Sequence, residues 1–361
     1  MEAVPTVGTV RRGRRQRQLR AVDGAGVVRM LETSIGTDEP RAEFEPRLRG
    51  AAIAAIACAI PDLVVENRAI ASQLGVSEGW ILARTGIRER RRTAPSERLD
   101  DLAAEAGQRA LEGAGVEPGE VDLVLVATTA SEELIPSTAP LVAGRLGAVR
   151  AGAVDVGAAC TGFVSALMLG AAQIESGRAD CVLVVGADAL SRYIDATDRR
   201  TAALFGDGAG AAVLCATAPP TAIGPVVLGA DSSAAEHIVA RHGGKIEMRG
   251  QDTYRDAVAR LCDATIAAVH RHGLSIDQVD LFVYHQANAR IVRAVGARLD
   301  LPADRIVDCI GRFGNTAAAS LPIALCEAER AGRLYAGARV LVAACGAGFT
   351  WGGGVVEWGR A

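Results

Sequence analysis

From about residue 50 onward, short apolar runs alternate with longer stretches of helical pattern. Val121-Asp122-Leu123-Val124-Leu125-Val126 and Val279-Asp280-Leu281-Phe282-Val283-Tyr284 have strand length, and Val182-Leu183-Val184 and Val340-Leu341-Val342 mark two more strands. Strands alternating with helices predict an α/β architecture. The pattern also repeats. One offset of 158 residues relates both pairs of runs, and it relates the segment around Cys160 to the segment around Ala318. A shorter offset of 144 pairs Phe205-Gly206-Asp207-Gly208 with Phe349-Thr350-Trp351-Gly352. Several ungapped matches at one offset predict two similar halves, 49–220 and 221–361.

Residues 1–48 fall outside this pattern. Arg11, Arg12, Arg14, Arg15, Arg17 and Arg20 crowd their first part, and no sustained strand or helix period follows. This Arg-rich extension reads as a disordered tail or a translated upstream segment, with a basic arm for an acidic partner as the alternative.

Composition narrows the class. Half of the 361 residues are hydrophobic while aromatics make up only 4%, so a large core must be built from closely packed small side chains. The net charge of −3 gives no general attraction to nucleic acid, and Lys245 is the only lysine. No apolar run reaches the roughly 18 residues that span a bilayer. The eight cysteines form no CxxC or zinc-like spacing, which points to free thiols in a reducing cytoplasm and to no bound metal.

The candidate chemistry begins at Cys160, in Val154-Asp155-Val156-Gly157-Ala158-Ala159-Cys160-Thr161-Gly162-Phe163. The run reads as a strand-to-helix junction. There the helix dipole and free N–H groups favour a thiolate. An inert, buried cysteine is the competing reading. His285 ends an apolar run and is either functional or a structural histidine; His237, His242, His270 and His272 read as surface residues. Asn315, in Gly314-Asn315-Thr316, could equally be a helix cap. The duplication relates Ala127 to His285 and Gly157 to Asn315, so a pseudo-twofold would bring both C-terminal groups to Cys160.

The chain resembles the thiolase-fold condensing enzymes, specifically β-ketoacyl-acyl carrier protein synthase III, from about residue 50 to the C-terminus. The motifs are Trp80-Ile81-Leu82-Ala83-Arg84-Thr85-Gly86-Ile87, the Cys160 run, Phe205-Gly206-Asp207-Gly208-Ala209-Gly210-Ala211, His285-Gln286-Ala287-Asn288, Gly314-Asn315-Thr316 and Gly348-Phe349-Thr350-Trp351-Gly352. The resemblance implies a homodimeric five-layer αβαβα fold of two duplicated halves. It implies a catalytic set of Cys160, His285 and Asn315, where elongating relatives have Cys-His-His. It further implies an oxyanion hole from the backbone N–H groups of Cys160 and Ala347, the latter usually glycine. The CoA contacts would be Trp80 and Arg199 stacking on adenine, Arg84 on phosphate, and Asn288 and Tyr254 along the pantetheine arm. Arg290 would dock the acyl carrier protein. Ile135 and Cys345 stand at acyl-pocket positions where Phe is frequent, which leaves primer choice open. The implied substrates are a short acyl-CoA and malonyl-acyl carrier protein, with no cofactor, no nucleic acid and no membrane. The nearest alternative is a starter-unit synthase or acyltransferase of polyketide or specialised metabolism on the same fold.

Overall fold

The computed structural model describes residues 49–359. The expectations for 1–48 lie outside them. The first half runs β1 Gly50–Ala59, β2 Leu63–Glu66, α1 Asn67–Leu74, α2 Glu78–Thr85, β3 Glu89–Arg92 and α3 Leu99–Ala114. It continues through β4 Leu123–Ala127, α4 Thr138–Leu146, β5 Gly152–Val156, α5 Gly162–Glu175, β6 Cys181–Ala189 and β7 Asp207–Thr217. The second half opens with β8 Val227–Ala230, β9 Ile238–Ala240, β10 Ile246–Met248 and α6 Gly250–Arg271. It closes with β11 Leu281–Tyr284, α7 Ala289–Arg298, α8 Ile310–Phe313, α9 Ser320–Arg330, β12 Arg339–Gly346 and β13 Thr350–Glu357. Both halves belong to one compact unit.

Two mixed sheets carry the fold. The first has strand order β1-β7-β6-β4-β5 and the second β11-β12-β13-β8. Helices α3 and α4 cover one face of the first sheet, and α6 and α7 lie on the far side of the second. Between the sheets lie α5 and α9, each touching strands of both. This is the expected five-layer αβαβα stack. The sequence explains the placement. Helix α5 (Gly-Phe-Val-Ser-Ala-Leu-Met-Leu-Gly-Ala-Ala-Gln-Ile-Glu) is apolar on nearly every side, which suits a middle layer. The outer helices α3 and α6 carry charges on one face. Small residues let the layers close up: a Cβ on Gly210 of β7 would lie 2.7 Å from Pro322 of α9.

The strand register confirms the main repeat. Leu123 pairs with Val182, and Leu281 pairs with Val340, both related by the 158-residue offset. The shorter offset is corrected. Asp188 pairs with Gly208, and its counterpart Gly346 pairs with Thr350, so β7 and β13 correspond at 142 residues rather than 144. The error of two residues preserves the side-chain alternation of a strand, so the apolar pattern alone does not reveal it.

Candidate active site

Cys160 is the middle residue of a 3₁₀ turn, Ala159–Thr161, that runs into α5. The corresponding turn of the second half, Ala317–Ala319, runs into α9. Each opens on an alanine in the left-handed region, Ala159 at φ 45° and Ala317 at φ 46°. Non-glycine residues rarely adopt this conformation, and it concentrates where surrounding structure enforces it for function. The turns are exchanged between the halves: the Cys160 turn packs on β12, the other on β6, and the two touch each other. That exchange brings Cys160 of the first half among second-half residues.

His285 follows β11, with its N–H held by the Ala343 carbonyl at 2.8 Å. Its side chain is buried, and among the described residues neither Nδ1 nor Nε2 has a hydrogen-bond partner. Burial lowers its pKa to about 4, so the imidazole is neutral at pH 7. Asn315 is clamped to the first half: its N–H donates to the Leu204 carbonyl at 2.9 Å and its carbonyl accepts from Gly206 at 3.0 Å. Its Oδ1 accepts the Ala317 N–H at 2.9 Å, but the N-cap of that turn is Thr316, so Asn315 braces the turn from one residue earlier and is not its N-cap. Its Nδ2 makes no hydrogen bond among the described residues.

The expectation of a resting Cys160 thiolate is corrected. The walls around the half-buried thiol push its pKa up to about 12, and the nearby Asp188 carboxylate pushes the same way; only its own backbone N–H acts in the opposite direction. Desolvation outweighs the helix terminus. Cys345, next to it, is also raised by burial and by Cys160.

Cys160, His285 and Asn315 line one cavity of about 1130 Å³. Trp80, Arg84, Arg199, Tyr254 and Asn288 line it as well, as do Arg290, Cys345 and Ala347. Ile135 is not among the lining residues; it lies on the surface, 85% exposed. Ser77 caps α2 through the Trp80 N–H at 3.0 Å. Gly86 ends α2 at φ 77°, and a Cβ there would lie 2.3 Å from Ala289, so α2 and α7 meet at the cavity rim. In this arrangement Arg84, not Arg199, stacks on Trp80, at 4.2 Å. Arg199 instead donates to the Leu74 carbonyl at 3.0 and 3.1 Å. Asn288 caps α7 through the Arg290 N–H at 2.9 Å and donates to the Arg84 carbonyl at 3.1 Å. Arg290 lies over Tyr254 at 5.2 Å. The β9–β10 hairpin, within the segment 231–250, forms another wall.

Two of the presumed surface histidines are half-buried. His237 pairs with Asp256 at 3.2 Å and meets Phe349 edge-on, and His272 fits against Gly224. Asp188 escaped the sequence reading, although an acid inside the apolar run of β6 was a visible signal. Among the described residues, no three His, Cys, Asp or Glu side chains are grouped to hold a metal ion, and no helix is long and apolar enough to cross a membrane.

A five-layer duplicated stack with cysteine, histidine and asparagine meeting between its halves is the architecture of the thiolase-like condensing enzymes. Residues 154–232 match the family described as 3-oxoacyl-[acyl-carrier-protein (ACP)] synthase III, and 269–358 match its C-terminal part. The chain is 40% identical over 311 residues to the β-ketoacyl-[acyl-carrier-protein] synthase III of Geobacillus kaustophilus, covering 86% of this chain and 100% of that protein. The solved synthase III of Thermus thermophilus superposes with a TM-score of 0.83 at 40% identity, covering 86% of this chain and 100% of that one. The priming β-ketosynthase of the R1128 polyketide biosynthetic pathway gives 0.84 at 35% identity, covering 89% and 99%. The chain belongs to the β-ketoacyl-acyl carrier protein synthase III family.

Proposed function

We propose that the chain catalyses the initiating condensation of bacterial-type fatty acid synthesis, with Cys160 as the acyl carrier and His285 and Asn315 as the groups that stabilise the enolate. The observation that carries this reading is a set of unspent polar groups around one cavity: among the described residues, both ring nitrogens of His285 and the Nδ2 of Asn315 make no hydrogen bond. Buried polar groups are ordinarily satisfied, so unpaired ones beside a nucleophile mark where substrate atoms belong.

In the first half-reaction the Cys160 sulfur attacks the carbonyl carbon of a short acyl-CoA. The oxyanion sits against the backbone N–H groups of Cys160 and Ala347. Collapse breaks the thioester bond, and the thiol proton ends on the departing CoA sulfur. In the second, malonyl-acyl carrier protein loses CO₂, and the electron pair of the broken bond moves into a thioester enolate. Neutral His285 offers one N–H and Asn315 its amide to the enolate oxygen. The enolate carbon then attacks the acyl-Cys160 carbonyl and expels the Cys160 sulfur, which takes up a proton. The products are 3-oxoacyl-acyl carrier protein, CoA and CO₂. Decarboxylation supplies the carbanion, so the reading needs no cofactor.

Trp80, Arg84, Arg199, Tyr254 and Asn288 are the proposed CoA contacts. Arg84 already lies on Trp80, so adenine would share the indole with it or displace it. Arg290 at the rim is the proposed contact to the acidic carrier protein. Leu134, Ile135 and Val149 are each about 85% exposed, and a second copy covering them would form the homodimer and bring Ile135 to its neighbour's acyl pocket. Eight free cysteines suit a cytoplasmic site. The same fold in the R1128 priming ketosynthase supports the second reading, a starter-unit synthase for polyketides.

The test is condensation with malonyl-acyl carrier protein and a panel of acyl-CoA primers. Asn315→Ala should still accept the acyl group yet decarboxylate slower by about 10²–10³-fold. Full decarboxylation by that variant removes Asn315 from the enolate role.

A further inference from the structure

The two halves use the same turn differently, and the difference resides at one position. Asp188 on β6 and Gly346 on β12 correspond at the 158-residue offset. Asp188 faces the Ala317–Ala319 turn, and its Oδ2 accepts the Ala318 N–H at 2.9 Å. Ala318 is the counterpart of Cys160. Gly346 faces the Cys160 turn, where a Cβ would lie 3.0 Å from the Cys160 nitrogen and 2.8 Å from its Cβ. A side chain at 346 would therefore fall onto the Cys160 N–H as Asp188 falls onto the Ala318 N–H. One half closes the place in front of its turn with a carboxylate oxygen. The other leaves it clear and facing the cavity.

Asp188 is fully buried, and both of its oxygens are engaged. Oδ1 accepts the Thr129 N–H at 2.9 Å and the hydroxyls of Thr128 and Thr129 at 3.2 Å. Each carboxylate oxygen thus takes a backbone N–H from a different half. An Asn amide has a single acceptor oxygen and would leave one of these donors facing an NH₂ group. The titratable group on which the carboxylate acts is Cys160, whose thiol it disfavours ionising.

We propose that Asp188 is a positioning residue for the condensation step: filling the second-half counterpart of the oxyanion hole, it ties the Asn315 turn to the end of β4 and so holds Asn315 in place across from Cys160. This rests on the reading of Cys160 as the acyl carrier. The two half-reactions respond differently. Acylation uses the N–H groups of Cys160 and Ala347, which Asp188 does not touch. Decarboxylation uses Asn315, whose Oδ1 is bonded to the same Ala317–Ala319 turn. The buried negative charge also raises the proton affinity of the resting thiol, so its removal makes Cys160 ionise at lower pH.

The experiment compares the full chain with Asp188→Asn in three readings: acylation of Cys160 by acyl-CoA, decarboxylation of malonyl-acyl carrier protein, and the pH profile of Cys160 alkylation by iodoacetamide. Expected are acylation within a few-fold of the unmodified protein, decarboxylation lower by on the order of 10²-fold, and an alkylation profile displaced to lower pH. Equal losses in both half-reactions with an undisplaced profile would overturn the proposal and make Asp188 merely structural, as would no loss in either. If Asp188→Asn does not fold, Thr128→Val removes one hydroxyl from the carboxylate and should give the same split between half-reactions at smaller amplitude; no split overturns the proposal. Failure of the unmodified protein to acylate with any primer refutes the acyl-carrier reading instead, and the alkylation profile then still decides whether Asp188 acts on Cys160.

Discussion

That Cys160, His285 and Asn315 come to one cavity was legible in the sequence because each sits in a short, distinctive run, but their electrostatics were not. The helix terminus suggested a thiolate, whereas the enclosing walls and Asp188 raise the thiol to about 12. Burial depends on residues far apart in sequence, so no local run reports it. The pair His285 and Asp188 yields a pH prediction. The folded value of His285, about 4, lies below its ordinary 6.5, so the unfolded chain takes the proton first and stability is lost as pH falls from 6.5 to 4. Asp188 has the opposite sign. Burial raises its folded value to about 6 from 3.8, so the folded chain takes the proton first and stability is gained as pH falls from 6 to 4. Each shift corresponds to about 3 kcal/mol. Denaturant melts of the unmodified protein and Asp188→Asn at several pH values should therefore diverge. The unmodified protein should gain about 3 kcal/mol on the variant between pH 7 and about pH 3. A difference constant with pH would contradict the assignment.

At the scale of elements, the duplication was legible because matching strands keep the same apolar pattern at one offset. The shorter offset was misjudged by two residues because alternation is blind to an even slip, and only the pairing of Gly346 with Thr350 fixes it. The exchange of turns between halves was invisible in the sequence, since it depends on how the two sheets stack around α5 and α9. It makes two glycines unequal. A Cβ on Gly186 would lie 2.4 Å from the Ala318 carbonyl oxygen, backbone that cannot yield cheaply. Gly186→Ala should therefore destabilise by about 1–3 kcal/mol, read by thermal or denaturant melts. Gly346→Ala places its methyl against Cys160 and should slow acylation by on the order of 10²-fold, read as the rate of acyl transfer from acyl-CoA. Normal acylation by Gly346→Ala would show that the place before the Cys160 N–H is not used by the thioester.

For the whole molecule, the sequence foresaw five layers and one site between the halves, and left the primer open. The structure places Cys345, not a bulky aromatic, beside Cys160, and sets Ile135 on the surface, outside the cavity. Cys345→Phe should narrow the pocket and shift preference from branched toward acetyl primers, measured as the ratio of kcat/KM for the two; an unchanged ratio would place the acyl chain elsewhere. The central claim is that Cys160 carries the acyl group, and intact mass after incubation with acetyl-CoA and branched acyl-CoAs tests it most directly. The account predicts a gain of one acyl group on the unmodified protein with at least one primer, located on the peptide containing Cys160, and none on Cys160→Ala. Acylation that persists in Cys160→Ala, or none with any primer, would contradict it.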